Sequence, residues 1–285
     1  VTIMIYFSAQ ELDNLLLEDA YRGDLTSRAM GLNTQAARMQ FRRKKCGRVA
    51  GVAVACALLE RLNLKPICFA HDGEDVAENT LLLEVHGDAQ KLHHGWKAAQ
   101  LVLEWSCGVA QYTAEMINAA QAVDPACVLA CTRKSIPYTR KLATIAVLAG
   151  GGHIHRQGLS ETLLVFKNHR ALYAEPDNYH AMVRMLRAQN PEHKITLEAD
   201  NLQQLTAMLP AQPDIIQMDK FSLDDVKTAL SLVQKSQSAV QLSLAGGVRR
   251  ENIAEFARAG VRLFISSAPY YAKPQDIKVA IDAAD

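Results

Sequence analysis

From residue 127 onward the chain alternates short apolar runs with amphipathic stretches, and this rhythm restricts the architecture more than any other feature of the sequence. The apolar runs fall at 127–131, 163–166, 195–197, 215–218, 240–244 and 263–265, each with the length of a buried strand. Helical periodicity fills 139–149, 179–189, 202–209, 223–233 and 250–259 between them. Strands separated by helices run parallel, since parallel neighbours need a crossover rather than a hairpin, and so many units in so little chain predict a barrel. A doubly wound open sheet is the competing architecture, but no GxGxxG follows the first strand of this half.

The N-terminal part has a different pattern. Residues 1–3 read as extraneous to the fold, ahead of Met4. Ser8-Ala9-Gln10-Glu11 has the form of a capping box and predicts a helix to about Asp19. Residues 37–45 alternate in part, Met39 and Phe41 against Gln40 and Arg42, as a half-buried strand would. A helix is expected over 52–62, strands over 67–70 and 81–85 around a turn at Asp72-Gly73, and a long helix over 89–104 that ends near Gly108.

Composition narrows the function. A chain of 285 residues has room for two domains and a core that needs no staples. No stretch is long and apolar enough to cross a bilayer and no signal-peptide pattern opens the chain, so a soluble cytoplasmic protein is expected. A formal net charge of +1 argues against a nucleic-acid partner. Six cysteines without a CxxC pair indicate neither a zinc site nor a disulfide framework, and they read as reduced, buried small hydrophobes. Cys127 and Cys131 would share a strand face, although no His or carboxylate joins them at metal spacing.

In a barrel, chemistry gathers where strands end. The first of these strands ends in Thr132-Arg133-Lys134, the next ones of interest in Glu198 and Asp219, the penultimate in Ala245-Gly246-Gly247 and the last in Ser266-Ser267. Gly246-Gly247 before a helix offers backbone N–H groups and positive dipole to an anion, or is simply a tight turn. Glu198 and Asp219 suit Mg²⁺ or sugar hydroxyls, or serve as helix caps. The run Gly150-Gly151-Gly152-His153-Ile154-His155-Arg156 sets a His-Arg pair behind glycines that let backbone close around an anionic ligand, with His153 incidental. Lys167, His169 and Arg170 extend the basic cluster or are solvated loop charges.

These motifs, in this order, resemble the quinolinate phosphoribosyltransferase (nicotinate-nucleotide pyrophosphorylase) family: Thr132-Arg133-Lys134 with Pro137, Gly150-Gly151-Gly152 with His155-Arg156 and Gly158-Leu159, Asn168-His169, Glu198, Asp219 and Gly246-Gly247. Glu18-Asp19 with Gly23-Asp24-Leu25-Thr26 resembles the family's N-terminal signature, so the likeness spans nearly the whole chain. Ser160-Glu161-Thr162, Val165-Phe166 and Ser267-Ala268-Pro269-Tyr270-Tyr271 look most like the ModD branch, associated with molybdenum transport operons.

The resemblance implies an α/β fold, an incomplete TIM-like barrel over 111–271 with an N-terminal α/β sandwich over 1–110 that residues 272–285 join. It also implies a head-to-tail homodimer in which Lys97 reaches the neighbour's barrel. The implied reaction moves ribose 5-phosphate from phosphoribosyl pyrophosphate to a ring nitrogen with Mg²⁺, releasing pyrophosphate. Lys134 and Mg²⁺ would face the pyrophosphate, and Glu198 and Asp219 the ribose hydroxyls and metal. Ala245, Gly246, Gly247, Ser266 and Ser267 would hold the 5-phosphate, and Thr132, Arg133, His155, Arg156 and Lys167 the acidic ring.

Several positions depart from that pattern. Lys97 stands where the family has arginine and cannot offer the same planar fork. Phe166 stands where it has lysine, and Lys167, one step on in a strand, would face the other way. Ser160-Glu161 replaces a glycine-aspartate pair and Ala245 a serine. At about 1.5–3 kcal/mol per charged hydrogen bond lost, a dicarboxylate should bind weakly, and an acceptor other than quinolinate is expected. Two further readings stay open. One is a non-catalytic phosphate or oxyanion binder regulating molybdenum transport, which has little use for paired carboxylates. The other is a phosphosugar isomerase or lyase, which needs an acid–base pair around a carbonyl.

Overall fold

The computed structural model describes residues 5–284, so the expectation for residues 1–3 lies outside the described chain. The fold divides into two compact units, residues 1–114, 136–151 and 269–285 forming one and residues 115–135 and 152–268 the other.

In the first unit, α1 (Ala9–Ala20) begins at the capping box: Ser8 Oγ accepts from the Glu11 N–H at 3.3 Å, and the Ser8 N–H donates to Glu11 Oε2 at 2.8 Å. Lys141, and Ser8 after it, hold the Glu11 carboxyl down to about 2. The helix buries Leu12 and Leu16, four residues apart and therefore on one face. After α2 (Leu25–Ala29) comes β1 (Ala36–Arg43), which alternates as the sequence predicts, with Met39 and Phe41 fully buried. A short β2 (Gly47–Arg48) leads to α3 (Val52–Arg61), β3 (Lys65–Cys68), β4 (Asp75–Val76) and β5 (Leu81–Asp88).

One expectation needs correction here. The helix α4 (Ala89–Gln121) runs through both Gly95 and Gly108 for 33 residues. Its glycines answer to packing rather than to chain termination: a Cβ at Gly108 would sit 2.6 Å from the Lys273 carbonyl oxygen, and one at Gly95 would sit 2.8 Å from Leu62 Cδ1.

The second unit carries a seven-stranded parallel sheet. In chain order come β6 (Val128–Cys131), α5 (Arg140–Ala149), which clusters with the first unit, then β7 (His153–Ile154), β8 (Leu163–Val165), α6 (Lys167–Arg170) and α7 (Tyr179–Gln189). There follow β9 (Ile195–Ala199), α8 (Leu202–Met208), β10 (Ile215–Asp219), α9 (Leu223–Ser236), β11 (Gln241–Ala245), α10 (Ile253–Arg258) and β12 (Leu263–Ser266). The strand order is β7-β6-β12-β11-β10-β9-β8, and β7 does not pair with β8, so the barrel is incomplete. Three or four consecutive residues are buried in β9, β10 and β11, as a parallel sheet covered on both faces requires.

The chain returns to the first unit with β13 (Ile277–Ala283), which pairs antiparallel with β1 and completes the four-stranded order β13-β1-β5-β3. The cysteines are less uniform than expected: Cys46 and Cys68 are exposed, and the Sγ atoms of Cys56 and Cys68 lie 2.6 Å apart. Cys127 and Cys131 are buried, Cys127 Sγ donating to the Val261 carbonyl at 3.5 Å.

Candidate active site at the open barrel mouth

The C-terminal ends of the parallel strands enclose a cleft of about 610 Å³ within the second unit. Thr132, Arg133, Lys134, His155, Arg156, Glu198, Asp219, Ala245, Gly246, Gly247, Ser266 and Ser267 all line it. Parallel register is what gathers them, since each residue is the last or last but one of its strand, or lies within a few residues beyond it. Lys97 and Lys167 do not line this cleft. Lys97 lies on α4, its Nζ 4.0 Å from the Trp96 ring centre and donating to Gln100 Oε1 at 2.9 Å. Lys167 is exposed at the first position of α6, because β8 stops at Val165 and Phe166 caps the helix, which corrects the expectation of a strand through 166.

The acids meet on one wall. Glu198 Oε2 accepts from Gln217 Nε2 at 2.8 Å. Burial first, and the neighbouring Asp219 carboxylate second, push the Glu198 carboxyl above its ordinary range, while the Gln217 bond and Lys134 oppose the shift. Behind Glu198, buried Arg170 donates to the Glu198 carbonyl at 3.1 Å and to Gln204 Oε1 at 3.3 Å, and packs against the Tyr179 ring. Arg170 is therefore a brace for the end of β9 rather than a solvated loop charge.

The glycine turn fits closely beside Asp219. Gly246 and Gly247 have φ of 80° and 82°, and a Cβ on Gly246 would come within 2.5 Å of Asp219 Oδ1. The Lys220 N–H, at a residue with φ 58°, donates to the Ala245 carbonyl at 2.9 Å and locks the two strand ends together. Asn252 fastens the turn, donating to the Gly247 carbonyl at 3.0 Å and accepting from the Arg249 N–H at 2.9 Å. The two serines at the end of β12 shape the rim: Ser266 Oγ, on the strand's last residue, donates to the Val248 carbonyl at 2.6 Å, and Ser267 Oγ, one residue on, lies 2.6 Å from Thr132 Oγ1.

The basic side comes from the ends of β6 and β7. The His155 N–H donates to the Cys131 carbonyl at 2.9 Å. Burial, then the charge of Arg156, lowers the His155 pKa and keeps the imidazole neutral at neutral pH. Arg156 is only 7 % exposed; burial and then Arg133 work against its charge, and its guanidinium lies 5.3 Å from the Phe166 ring centre.

Gln217 escaped the sequence reading. It is 4 % exposed and lies two residues before Asp219 on β10, so strand alternation places both on one face, and that spacing was the available signal. Phe166 and Leu164 also line the cleft, which a search for charged residues does not find.

Fold and cleft together define an incomplete α/β-barrel protein with its candidate site at the open mouth. The chain matches the quinolinate phosphoribosyl transferase N-terminal domain over residues 24–107 and the C-terminal domain over residues 109–280, and it belongs to that family. It is 60% identical over 279 residues to the ModD protein of Pasteurella multocida, covering 98% of this chain and 99% of that one. It is 42% identical over 281 residues to ModD of Escherichia coli O6:H1, covering 99% of each chain. In structure it resembles the nicotinate-nucleotide pyrophosphorylase from Francisella tularensis with a TM-score of 0.87 at 22% identity, over 96% of this chain and 95% of that one. No helix among the described residues is long and apolar enough to cross a membrane.

Proposed function

We propose that the protein is a phosphoribosyltransferase of the pyrophosphorylase type, moving ribose 5-phosphate from phosphoribosyl pyrophosphate to the ring nitrogen of a pyridine-like acid. The observation that carries the reading is convergence: basic groups, a pair of carboxylates and a glycine cradle share one cleft. Family membership supports the same class of chemistry.

In the reaction the anomeric C–O bond breaks, its electron pair leaves with pyrophosphate, and the ring nitrogen's lone pair forms the new C–N bond. Positive charge grows on the sugar and negative charge on the leaving group. Gly246 and Gly247 hold the 5-phosphate through backbone N–H groups, with Ala245, Ser266 and Ser267 shaping that cradle. Glu198 and Asp219 accept from the ribose hydroxyls and stabilise the developing cation; Gln217 fixes the Glu198 carboxylate. Lys134 faces the pyrophosphate. Arg133 and Arg156 bind the acceptor's carboxylate, Thr132 supports Arg133's loop through Ser267, and neutral His155 offers a hydrogen bond without adding charge.

The donor set fits Mg²⁺. Asp219 helps to raise the Glu198 pKa, a repulsion that a bound divalent cation would relieve, and one or two carboxylates plus substrate oxygens are the usual protein share of a magnesium site. When bound, Mg²⁺ supplies charge neutralisation at the pyrophosphate; Glu198 and Asp219 are the residues to hold it. We further assign a homodimer in which Lys97 serves the neighbour's cleft. The acceptor is not quinolinate, because Lys97 and Phe166 remove planar or charged donors from a dicarboxylate site.

The direct test is pyrophosphate release from phosphoribosyl pyrophosphate with Mg²⁺ and a panel of pyridine, pyrimidine and pterin-like acids. Release with one acceptor, lost in Glu198→Gln and Asp219→Asn, is expected. Tight binding of the donor without release under any acceptor sinks the transferase reading, and turnover of quinolinate at an efficient enzyme's rate sinks the altered-acceptor part.

A further inference from the structure

Beside the mouth cleft lies a second chamber of about 590 Å³, which shares Arg133, Arg156, Leu164 and Phe166 with it. The shared residues make the two spaces neighbours across one wall, but their chemistry differs. Away from the arginines the chamber is walled by apolar groups, chiefly Leu163, Met182, Met185 and Leu186, from the edge strand β8 and from α7. No Asp, Glu or Lys lines it.

Two further observations say what it is built to hold. Arg156 is nine-tenths buried, yet among the described residues it makes no ion pair and donates to no acceptor; Phe166's ring face is its packing partner. A buried guanidinium that Glu161 and Glu198 favour only from a distance, with no ion pair formed, is costly unless an anion arrives to meet it. Of the other polar groups at the chamber, His169 accepts from the Phe166 N–H through Nδ1 at 3.0 Å and stacks on the Phe166 ring, and the Tyr173 hydroxyl donates to Met185 Sδ at 3.8 Å. One anionic end and a long uncharged body is therefore the ligand complementary to the chamber, whose volume suits a molecule larger than a single small ring.

We infer that the chamber receives an apolar extension of the acceptor, and that the substrate class is a nitrogen heteroaromatic monocarboxylate carrying a fused ring or short alkyl chain. The carboxylate meets Arg156 and Arg133, the ring nitrogen faces the cleft and the extension lies against Met182, Met185 and Leu186. This inference rests on the transferase reading only for the word acceptor; as a binding site it stands separately.

Calorimetry on the whole protein tests it, with quinoline-3-carboxylate and 5-butylnicotinate set against nicotinate, each with and without phosphoribosyl pyrophosphate and Mg²⁺. Both extended acids are expected to bind at least tenfold tighter than nicotinate. Filling the chamber by Leu186→Trp, or independently by Met185→Trp, is expected to bring that ratio down to about one. Equal or weaker binding of both extended acids by the wild-type protein overturns the inference, as does a preference that survives in folded filled variants. Preferential binding without pyrophosphate release leaves the chamber assigned and removes the transferase reading; release with nicotinate and no preference for extension does the reverse.

Discussion

Replacing Gly246 with alanine puts the tightest geometry of the cleft under load, and Gly247 next to it supplies the control. Both have positive φ, 80° and 82°, where a Cβ costs about 1–2 kcal/mol. Their surroundings differ. A Cβ on Gly247 meets nothing within 4 Å, whereas one on Gly246 comes 2.5 Å from Asp219 Oδ1, 2.5 Å from Lys220 Cγ and 2.8 Å from the Lys220 backbone nitrogen. Lys220 Cγ can swing away, but its backbone nitrogen is tied to the Ala245 carbonyl, so relief requires moving a strand end. Overpacking of that kind costs about 1–3 kcal/mol. Gly247→Ala should therefore lose about 1–2 kcal/mol, and Gly246→Ala about 2–5 kcal/mol, as the strain and overlap costs sum. Urea unfolding followed by far-UV circular dichroism measures both; tryptophan fluorescence would not serve, because Trp96 and Trp105 lie in the first unit. Gly246→Ala should also weaken donor binding more than Gly247→Ala, since it displaces Asp219. Equal losses in the two variants would refute the close-packing argument.

Gln217→Met removes the donor to Glu198 Oε2, so the Glu198 pKa rises further and the acidic limb of the activity profile moves to higher pH; carboxyl-carbon NMR titration checks it. The sign for stability follows from a folded pKa already raised: Glu198's contribution is full below its ordinary pKa and is lost as pH rises through the folded one, in the variant at still higher pH. Arg170→Met leaves the Glu198 carbonyl and Gln204 without their donor, and a loss of about 1–3 kcal/mol in urea unfolding is expected, with a lower kcat from a misplaced Glu198. An unchanged kcat would make Arg170 a stabilising residue alone. Gly108→Ala sets about 0.8–1.0 kcal/mol of helix propensity against the overlap with the Lys273 carbonyl, and the net change in thermal unfolding should be a loss; a gain would mean that α4 and residue 273 separate freely.

Local pattern made much of this legible. The capping box at Ser8, the alternation through Met39 and Phe41, and the parallel strands after residue 127 all appear near where the sequence puts them, because each depends on neighbours within a few residues. The failures also have local causes. Gly108 reads as a helix stop until the Lys273 backbone is seen against it. The run 163–166 reads as one strand because periodicity cannot locate the residue at which His169 turns back to accept from the Phe166 N–H and start α6. The two-residue strand β7 lies inside a glycine-rich run too short to carry a period.

The sequence by itself determined the parallel sheet, the order of its strand-end motifs and the family, since these are written in spacing and residue type along the chain. Tertiary structure alone decided which of those residues share an opening, that Gln217 and Arg170 hold Glu198 from the side and from behind, and that an apolar chamber adjoins the charged cleft. The reason is distance along the chain: Arg156 follows β7, Phe166 lies between β8 and α6 and Met185 is on α7, and only packing tells which of their side chains meet.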